Sequence, residues 1–453
     1  MLCKNGVMQN TDVQQSQAAR KEAVCGISRQ CGACQHVNMP YARQLQRKQE
    51  FIVDLFEDVA ASDCVLEPIL GMEEPFGFRN KIVSPFAPGK RLPAPKGKRG
   101  GKRAADKRGS QGRRGADGAQ REILCGMYAQ GTHRIVAVPE CPVEHPCGRR
   151  IIRAVSQLMR KFGIAPYDED AGVGFMRHVV VRVGHESGEV LVTLVANASQ
   201  FPGARNFARE LAKRCPEITT VVQNVNTRST NAILGTEEHV LYGPGFILDT
   251  LCGLSFRISS HSFYQVNAVQ TEVLYRAAIR WALEGFETDE MRPLSIMDAY
   301  CGTGTIGLVA ASMAGSARVV GVDKVVSAIY DARQNASHNG IENATFVAAD
   351  AGDYLRLRAA ADERFDVLIM DPPRAGSSEE FLRAAAESGV ERIVYISCNP
   401  YTQMRDVRYL QQFGYKLRRI QPVDMFPHTD HVETICLLAR SGDEGLLKER
   451  SDS

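Results

Sequence analysis

The stretch Leu294-Ser-Ile-Met-Asp-Ala-Tyr-Cys-Gly-Thr-Gly-Thr-Ile-Gly307 decides how the C-terminal half of this chain folds. Leu294–Ala299 is a short apolar run that carries Asp298 near its end. The turn that follows holds Gly302, Gly304 and Gly307, which let a backbone approach a ligand closely as it opens a helix. The same texture recurs at Arg318–Asp323, Ala344–Ala349, Phe365–Met370 and Arg392–Ser397, with helix-length segments between. Such alternation predicts an α/β domain with a doubly wound, Rossmann-like sheet. Its five strands end at Asp298, Asp323, Asp350, Asp371 and Cys398. In open α/β sheets ligands bind at the carboxyl ends of the strands.

The glycine spacing matches the dinucleotide fingerprint, and the Lys-Ser/Thr of a P-loop is missing. Asp323, at the end of the next strand, suits a ribose diol, and Asp350 suits an adenine edge. Both S-adenosylmethionine and a nicotinamide dinucleotide carry an adenosine, so both fit here. The plain structural alternative for each carboxylate is a helix N-cap.

Outward from this domain, the chain has 453 residues, 44% hydrophobic and 24% charged, which suits a soluble protein of two or three domains. No apolar run is long enough to cross a bilayer, and the first residues lack a leader's apolar core. A cytoplasmic location without membrane contact is expected. Thirteen cysteines in such a compartment read as thiols, metal ligands or catalysts rather than disulfides. The net charge of +3 conceals an asymmetry. Lys90–Arg121 holds twelve Lys/Arg against Asp106 and Asp117, a local +10 that leaves −7 for the rest.

Helical spacing marks Ala42–Val59, Ala204–Arg214 and Asn267–Leu283. Strand patterns mark Phe78–Phe86, the run from Glu122, His178–Val183 and Val190–Val195. The organisation expected is a polar tail (1–23), an α+β domain (24–256) with a basic insertion (88–122), the α/β domain (257–441) and a tail (442–453). The insertion lacks aromatic residues. It suits backbone electrostatics with a polyanion or serves as a solubilising segment.

Cys398 is the most reactive candidate, since a strand stops on it and Asn399-Pro400 turns the chain. On its own a cysteine at a strand end reads as a small buried hydrophobe. The flanking motifs give it context: Asp371-Pro-Pro-Arg374, Ser397-Cys-Asn-Pro400 with Thr402 and Arg405-Asp406, His431-Val-Glu-Thr434, and Phe263-Tyr-Gln-Val-Asn267. With the glycine loop, this ordered set resembles the RNA 5-methyluridine (uracil-C5) methyltransferase family, from about Cys25 to Arg440. Within it, the closest resemblance is to the iron–sulfur-containing 23S ribosomal RNA enzymes. The resemblance implies S-adenosylmethionine as cofactor, Cys398 as nucleophile, Glu433 as base and Asp371 against the uracil edge or the cofactor. It marks Gln265, Tyr300, Asp323 and Asp371 as cofactor contacts, with Thr305 and Asp350 at weaker positions. Members commonly begin with a small β-barrel for RNA, and the residues before Cys25 are too few for one.

Cys25-x5-Cys31-x2-Cys34 supplies three thiols, and a fourth is needed for a site of four thiolates. Cys125, Cys141 and Cys147 are the candidates. The family places its last ligand at a Cys-Pro, which is Cys141 here, and a [4Fe-4S] cluster is implied. Zinc and free thiols remain the alternatives. The expected protein is a monomeric methyltransferase for a uridine of structured RNA, 23S ribosomal RNA foremost. The rivals are a tRNA T-loop uridine methyltransferase and a non-catalytic iron–sulfur RNA-binding protein.

Overall fold

The computed structural model describes residues 25–92, 121–286 and 292–440. The two expected tails and most of the basic insertion lie outside the described residues. The chain opens with a short helix, Ser28–Cys31 (α1), and a long one, Tyr41–Phe56 (α2). The buried face of α2 repeats every four residues: Gln44, Lys48, Ile52 and Phe56. A two-residue strand, Val65–Leu66 (β1), follows.

Seven strands then form one sheet: Lys81–Arg91 (β2), Arg121–Tyr128 (β3), Ile135–Ala137 (β4), Met176–Val183 (β5), Val190–Ala196 (β6), Ile218–Val225 (β7) and Glu237–Tyr242 (β8). Their order is β4-β3-β2-β5-β6-β7-β8. Helices Pro146–Phe162 (α3) and Ala204–Arg214 (α4) bury Ile151, Val155, Leu158 and Leu211 with Val181 and Val192 of this sheet. β2 pairs with β3 antiparallel, with Arg91 opposite Arg121. The hairpin therefore extends into the interval 88–122 that reads from sequence as insertion, and the strands end at Arg91 and resume at Arg121.

The hairpin Ile247–Leu251 (β9) and Leu254–Ile258 (β10) leads into helix Ala268–Leu283 (α5), capped by Asn267. The alternating units follow as Ser295–Ala299 (β11), Thr305–Ala314 (α6), Arg318–Asp323 (β12), Val326–His338 (α7), Ala344–Ala348 (β13), Ala351–Ala360 (α8), Val367–Met370 (β14), Glu379–Glu387 (α9), Arg392–Ser397 (β15) and Pro400–Gln411 (α10). Strands Tyr415–Val423 (β16) and Glu433–Arg440 (β17) close the chain. The sheet order is β1-β16-β17-β15-β14-β11-β12-β13. β13, β12, β11, β14 and β15 run parallel, and β17 is antiparallel to β15 and β16. The parallel strands are buried along most of their length, as continuous Val/Ile/Met runs require.

The cores do not divide at residue 256. β1 pairs parallel with β16, and Ile52 and Phe56 of α2 sit in the C-terminal core with Leu410 and Ile420. Ile247, Leu251 and Phe256 pack with Ile306 and Ile329. Residues 41–70 and the β9–β10 hairpin thus belong with the eight-stranded sheet, where long-range pairing outweighs their place in the sequence. Among the described residues no helix is long and apolar enough to cross a membrane.

Candidate active site

Three neighbouring strands deliver the reactive groups. β15 lies between β17 and β14, and Ser397 pairs with Thr434 while Met370 pairs with Tyr395. One residue further, Cys398 leaves the middle strand, flanked by Glu433 on one side and Asp371 on the other. The glycine loop follows on β11, then Asp323 on β12. Across the sheet the order is carboxylate, thiol, carboxylate, glycine loop, carboxylate.

These acids repel one another. Glu433 is buried, and burial with the nearby Asp371 pushes its carboxyl up to about 8. Asp371 is half-buried, and burial pushes its carboxyl up to about 7. Burial, then Glu433 and Asp371, also raise the Cys398 thiol. Arg374 opposes them: its guanidinium draws both Cys398 and Glu433 down.

The motif residues hold this geometry. Asn399 precedes α10 without capping it, because its Nδ2 donates to the Arg374 carbonyl at 2.9 Å. Thr402 Oγ1 donates to the same oxygen at 3.3 Å. Asp406 accepts from Ser377 N at 2.8 Å and from the Tyr395 hydroxyl at 2.7 Å. Arg405 Nε donates to the second Asp406 oxygen, and its NH2 donates to the carbonyls of Ala375 and Ser377. The Arg-Asp pair thus pins the turn after Pro373 to the thiol's helix. Gln403 Nε2 donates to the carbonyls of Tyr395 and Thr434, tying β15 to β17 beside Glu433.

On the cofactor side, Gly304 (φ 80°) admits no side chain, since a Cβ would meet Phe346 at 2.7 Å. A Cβ on Gly302 would meet nothing within 4 Å, so the loop is open there. Asp323 accepts from Gly302 N at 3.0 Å and Val325 N at 2.8 Å, which locks the loop to β12. Tyr300 is a non-glycine residue at φ 62°, strained backbone that the turn imposes. Its hydroxyl donates to Ser377 Oγ at 3.3 Å. Gln265 and Thr305 line one small pocket, and Thr305 bonds the Tyr275 hydroxyl. Asp350 fits the plainer reading: it caps α8 through Asp353 N at 2.9 Å and pairs with Lys324 at 2.7 Å. Asp298 accepts from Gly307 N at 2.8 Å, while its Oδ1 is buried without a partner. Burial pushes this carboxyl up to about 8.

The sequence reading missed a brace from the N-terminal segment. Lys48 Nζ, buried in α2, donates to Asp424 Oδ1 at 2.6 Å and to the carbonyls of Phe426 and His431 at 3.2 and 2.7 Å. Gln44 accepts from His428 N at 2.9 Å, and His36 Nε2 lies 2.5 Å from Asp430. The segment leading to Glu433 is therefore clamped from across the chain. The signal was the polar pair Gln44/Lys48 on a face that continues with Ile52 and Phe56.

Cys25, Cys31, Cys34 and Cys141 are half-buried free thiols. Among the described residues no three His, Cys, Asp or Glu side chains are grouped as metal ligands, so the four-cysteine expectation is not met as a compact ligand set. The thiols still converge. Cys34 is pushed up to about 12 by burial and then by Cys141, with smaller effects of Cys31 and Cys25, against Arg79. Arg79 Nε is buried without a hydrogen-bond partner. The other sequence candidates, Cys125 and Cys147, are absent from that group. Cys147 Sγ instead lies 3.1 Å from His145 Nδ1.

The chain is similar to known proteins. Residues 251–441 match the family described as tRNA (Uracil-5-)-methyltransferase. An uncharacterized RNA methyltransferase of Halalkalibacterium halodurans is 38% identical over 421 residues, spanning 92% of this chain and 83% of the relative. Another from Bacillus cereus is 36% identical over 423 residues, spanning 93% and 84%. The crystal structure of Pyrococcus abyssi tRNA (uracil-54, C5)-methyltransferase with S-adenosyl-L-homocysteine superposes with a TM-score of 0.66 at 25% identity, covering 88% of this chain and 84% of that one. With relatives this similar along nearly their whole length, the chain belongs to the RNA uracil-5 methyltransferase family.

Proposed function

We propose that this protein transfers a methyl group from S-adenosylmethionine to C5 of a uridine in structured RNA, through a covalent bond between Cys398 and C6. The observation that carries this reading is the row formed by Glu433, Cys398 and Asp371 beside the open glycine loop. The donor's fit rests on the space at Gly302 and on the unpartnered Asp298 oxygen near the loop. Gln265, Tyr300, Thr305, Asp323 and Asp371 would hold it, with Asp350 in a lesser role. When bound it supplies an electrophilic methyl on a sulfonium sulfur.

The residues then have distinct tasks. C5 of uracil is a poor nucleophile until the Cys398 thiolate adds to C6 and sends the ring electrons toward the C4 oxygen. Arg374 favours that thiolate. Asp371 orients the ring edge. After C5 gains the methyl, Glu433 removes the C5 proton, the C5–C6 double bond re-forms, and the C–S bond breaks to release Cys398. A carboxyl pushed up by burial is a stronger base once ionised, which suits a carbon acid. The base must leave its stack to reach the thiol.

For the RNA we propose 23S ribosomal RNA, supported by the motif set that includes the four cysteines. A tRNA T-loop is the second reading, favoured by the Pyrococcus abyssi structure. We also propose that Cys25, Cys31, Cys34 and Cys141 hold a [4Fe-4S] cluster. Four thiolates and an anionic cluster would give the orphaned Arg79 Nε its partner, and the cluster would brace the segment that reaches α2. Iron content and visible absorption that survive Cys34→Ala would remove the cluster proposal. Mapping 5-methyluridine in RNA from a strain lacking the gene tests the main reading. Loss at one site in 23S RNA is expected; loss only in tRNA selects the second reading, and no loss refutes both.

A further inference from the structure

A cavity of about 560 Å³ opens in front of Cys398. Cys398 and Arg374 line it whereas Asp371 and Glu433 do not, so it opens from the thiol away from the two carboxylates. Its other walls are the first turn of α10, the α2 residues Gln44, Arg47, Lys48 and Phe51, and residues 429–432. Tyr401 stands 60% exposed on that first turn. The Phe51 ring packs against it, tilted at 59° with centroids 5.5 Å apart, and the tyrosine remains mostly open to solvent. Arg47, one turn before Phe51 on α2, is exposed and forms no ion pair among the described residues. The lining also includes the exposed Arg374, and Lys48, whose charge is offset by Asp424. Its one carboxylate, Asp430, is already bonded by His36.

A flat exposed ring and two exposed guanidiniums, Arg47 and Arg374, beside the nucleophile match one chemistry: single-stranded nucleic acid, a base on the ring and a phosphate on the charge. We infer that this cavity is the subsite for the nucleotide adjoining the target uridine, with Tyr401 as its stacking face and Arg47 as its phosphate contact. The inference rests on the proposed RNA methylation. Bringing a uridine to Cys398 carries its sugar–phosphate chain through this opening, so the neighbour arrives beside Tyr401. The subsite would hold the strand open once the uridine has left the stack.

The test measures methyl transfer from labelled S-adenosylmethionine to total RNA from a strain lacking the gene, using the full-length protein. Loss of one stacked base predicts a KM for RNA raised about 10- to 100-fold in Tyr401→Ala, with kcat changed far less. Tyr401→Phe should restore KM to within about twofold, because the face rather than the hydroxyl stacks. Arg47→Gln should lower the salt dependence of RNA binding by about one phosphate contact. An unchanged KM in Tyr401→Ala, or an equal fall in kcat with a lowered melting temperature, would overturn the subsite and leave the methylation reading standing. An unchanged salt slope in Arg47→Gln would overturn the phosphate contact. If the wild-type protein methylates no RNA, the underlying reading fails and the subsite with it.

Discussion

Replacing Arg374 by Gln removes the guanidinium that draws Cys398 and Glu433 down. Arg374 is exposed, so solvent screening holds its contribution to about 1 kcal/mol or less. The sign follows from its role. Arg374 lowers the thiol and Glu433, so its loss raises both. At fixed pH the thiolate fraction then falls by up to about fivefold. The cleanest assay omits RNA: the pH dependence of Cys398 alkylation by iodoacetamide, read by mass spectrometry of its peptide. Arg374→Gln should move that profile to higher pH, and raising the pH should restore the wild-type rate. The methylation profile should move the same way. An unshifted alkylation profile, or a loss that no pH restores, would refute the electrostatic role.

Other outcomes follow from the same geometry. Asp298 and Glu433, at about 8, and Asp371, at about 7, have folded pKa values above their unfolded ones. Their contribution to stability is full below about pH 4 and is lost as pH rises through 7 to 8. The melting temperature of the ligand-free protein should therefore fall over that window, less so in Asp298→Asn; an identical fall in the variant would contradict the assignment. Lys48→Met leaves Asp424 buried without its cation and should cost about 3–5 kcal/mol in urea unfolding. It should also lower kcat more than S-adenosylmethionine affinity, because the lysine steadies the approach to Glu433. Gly304→Ala places a Cβ against Phe346 at positive φ and should weaken S-adenosylmethionine binding about tenfold or more by calorimetry, with wild-type affinity as the contrary result.

The position of the candidate site was legible wherever a buried parallel strand ends. Such strands are unbroken apolar runs, so Asp298, Asp323, Asp371 and Cys398 stand out as abrupt polar stops. Asp350 stands out equally yet serves as a cap, because one residue type suits both tasks. What stayed hidden depends on distant pairing. β1 is two residues long and finds β16 across some 350 positions. β8 is exposed along most of its length and shows no alternation. Lys48 reads as a surface charge until Asp424 and the carbonyls of Phe426 and His431 are brought to it. Arg374 was legible only as the last residue of the Asp-Pro-Pro-Arg motif; the fold sets its charge against the thiol.

The central claim is a covalent bond from Cys398 to uridine C6, and RNA containing 5-fluorouridine tests it directly. Glu433 can remove a proton from C5 but not a fluorine, so the adduct cannot resolve and should accumulate when S-adenosylmethionine is present. The account predicts a denaturation-resistant protein–RNA species whose nuclease-trimmed nucleotide, with its added methyl, maps to the Cys398 peptide and is absent in Cys398→Ala. An adduct on another residue, or uridine methylation that persists in Cys398→Ala, would contradict it.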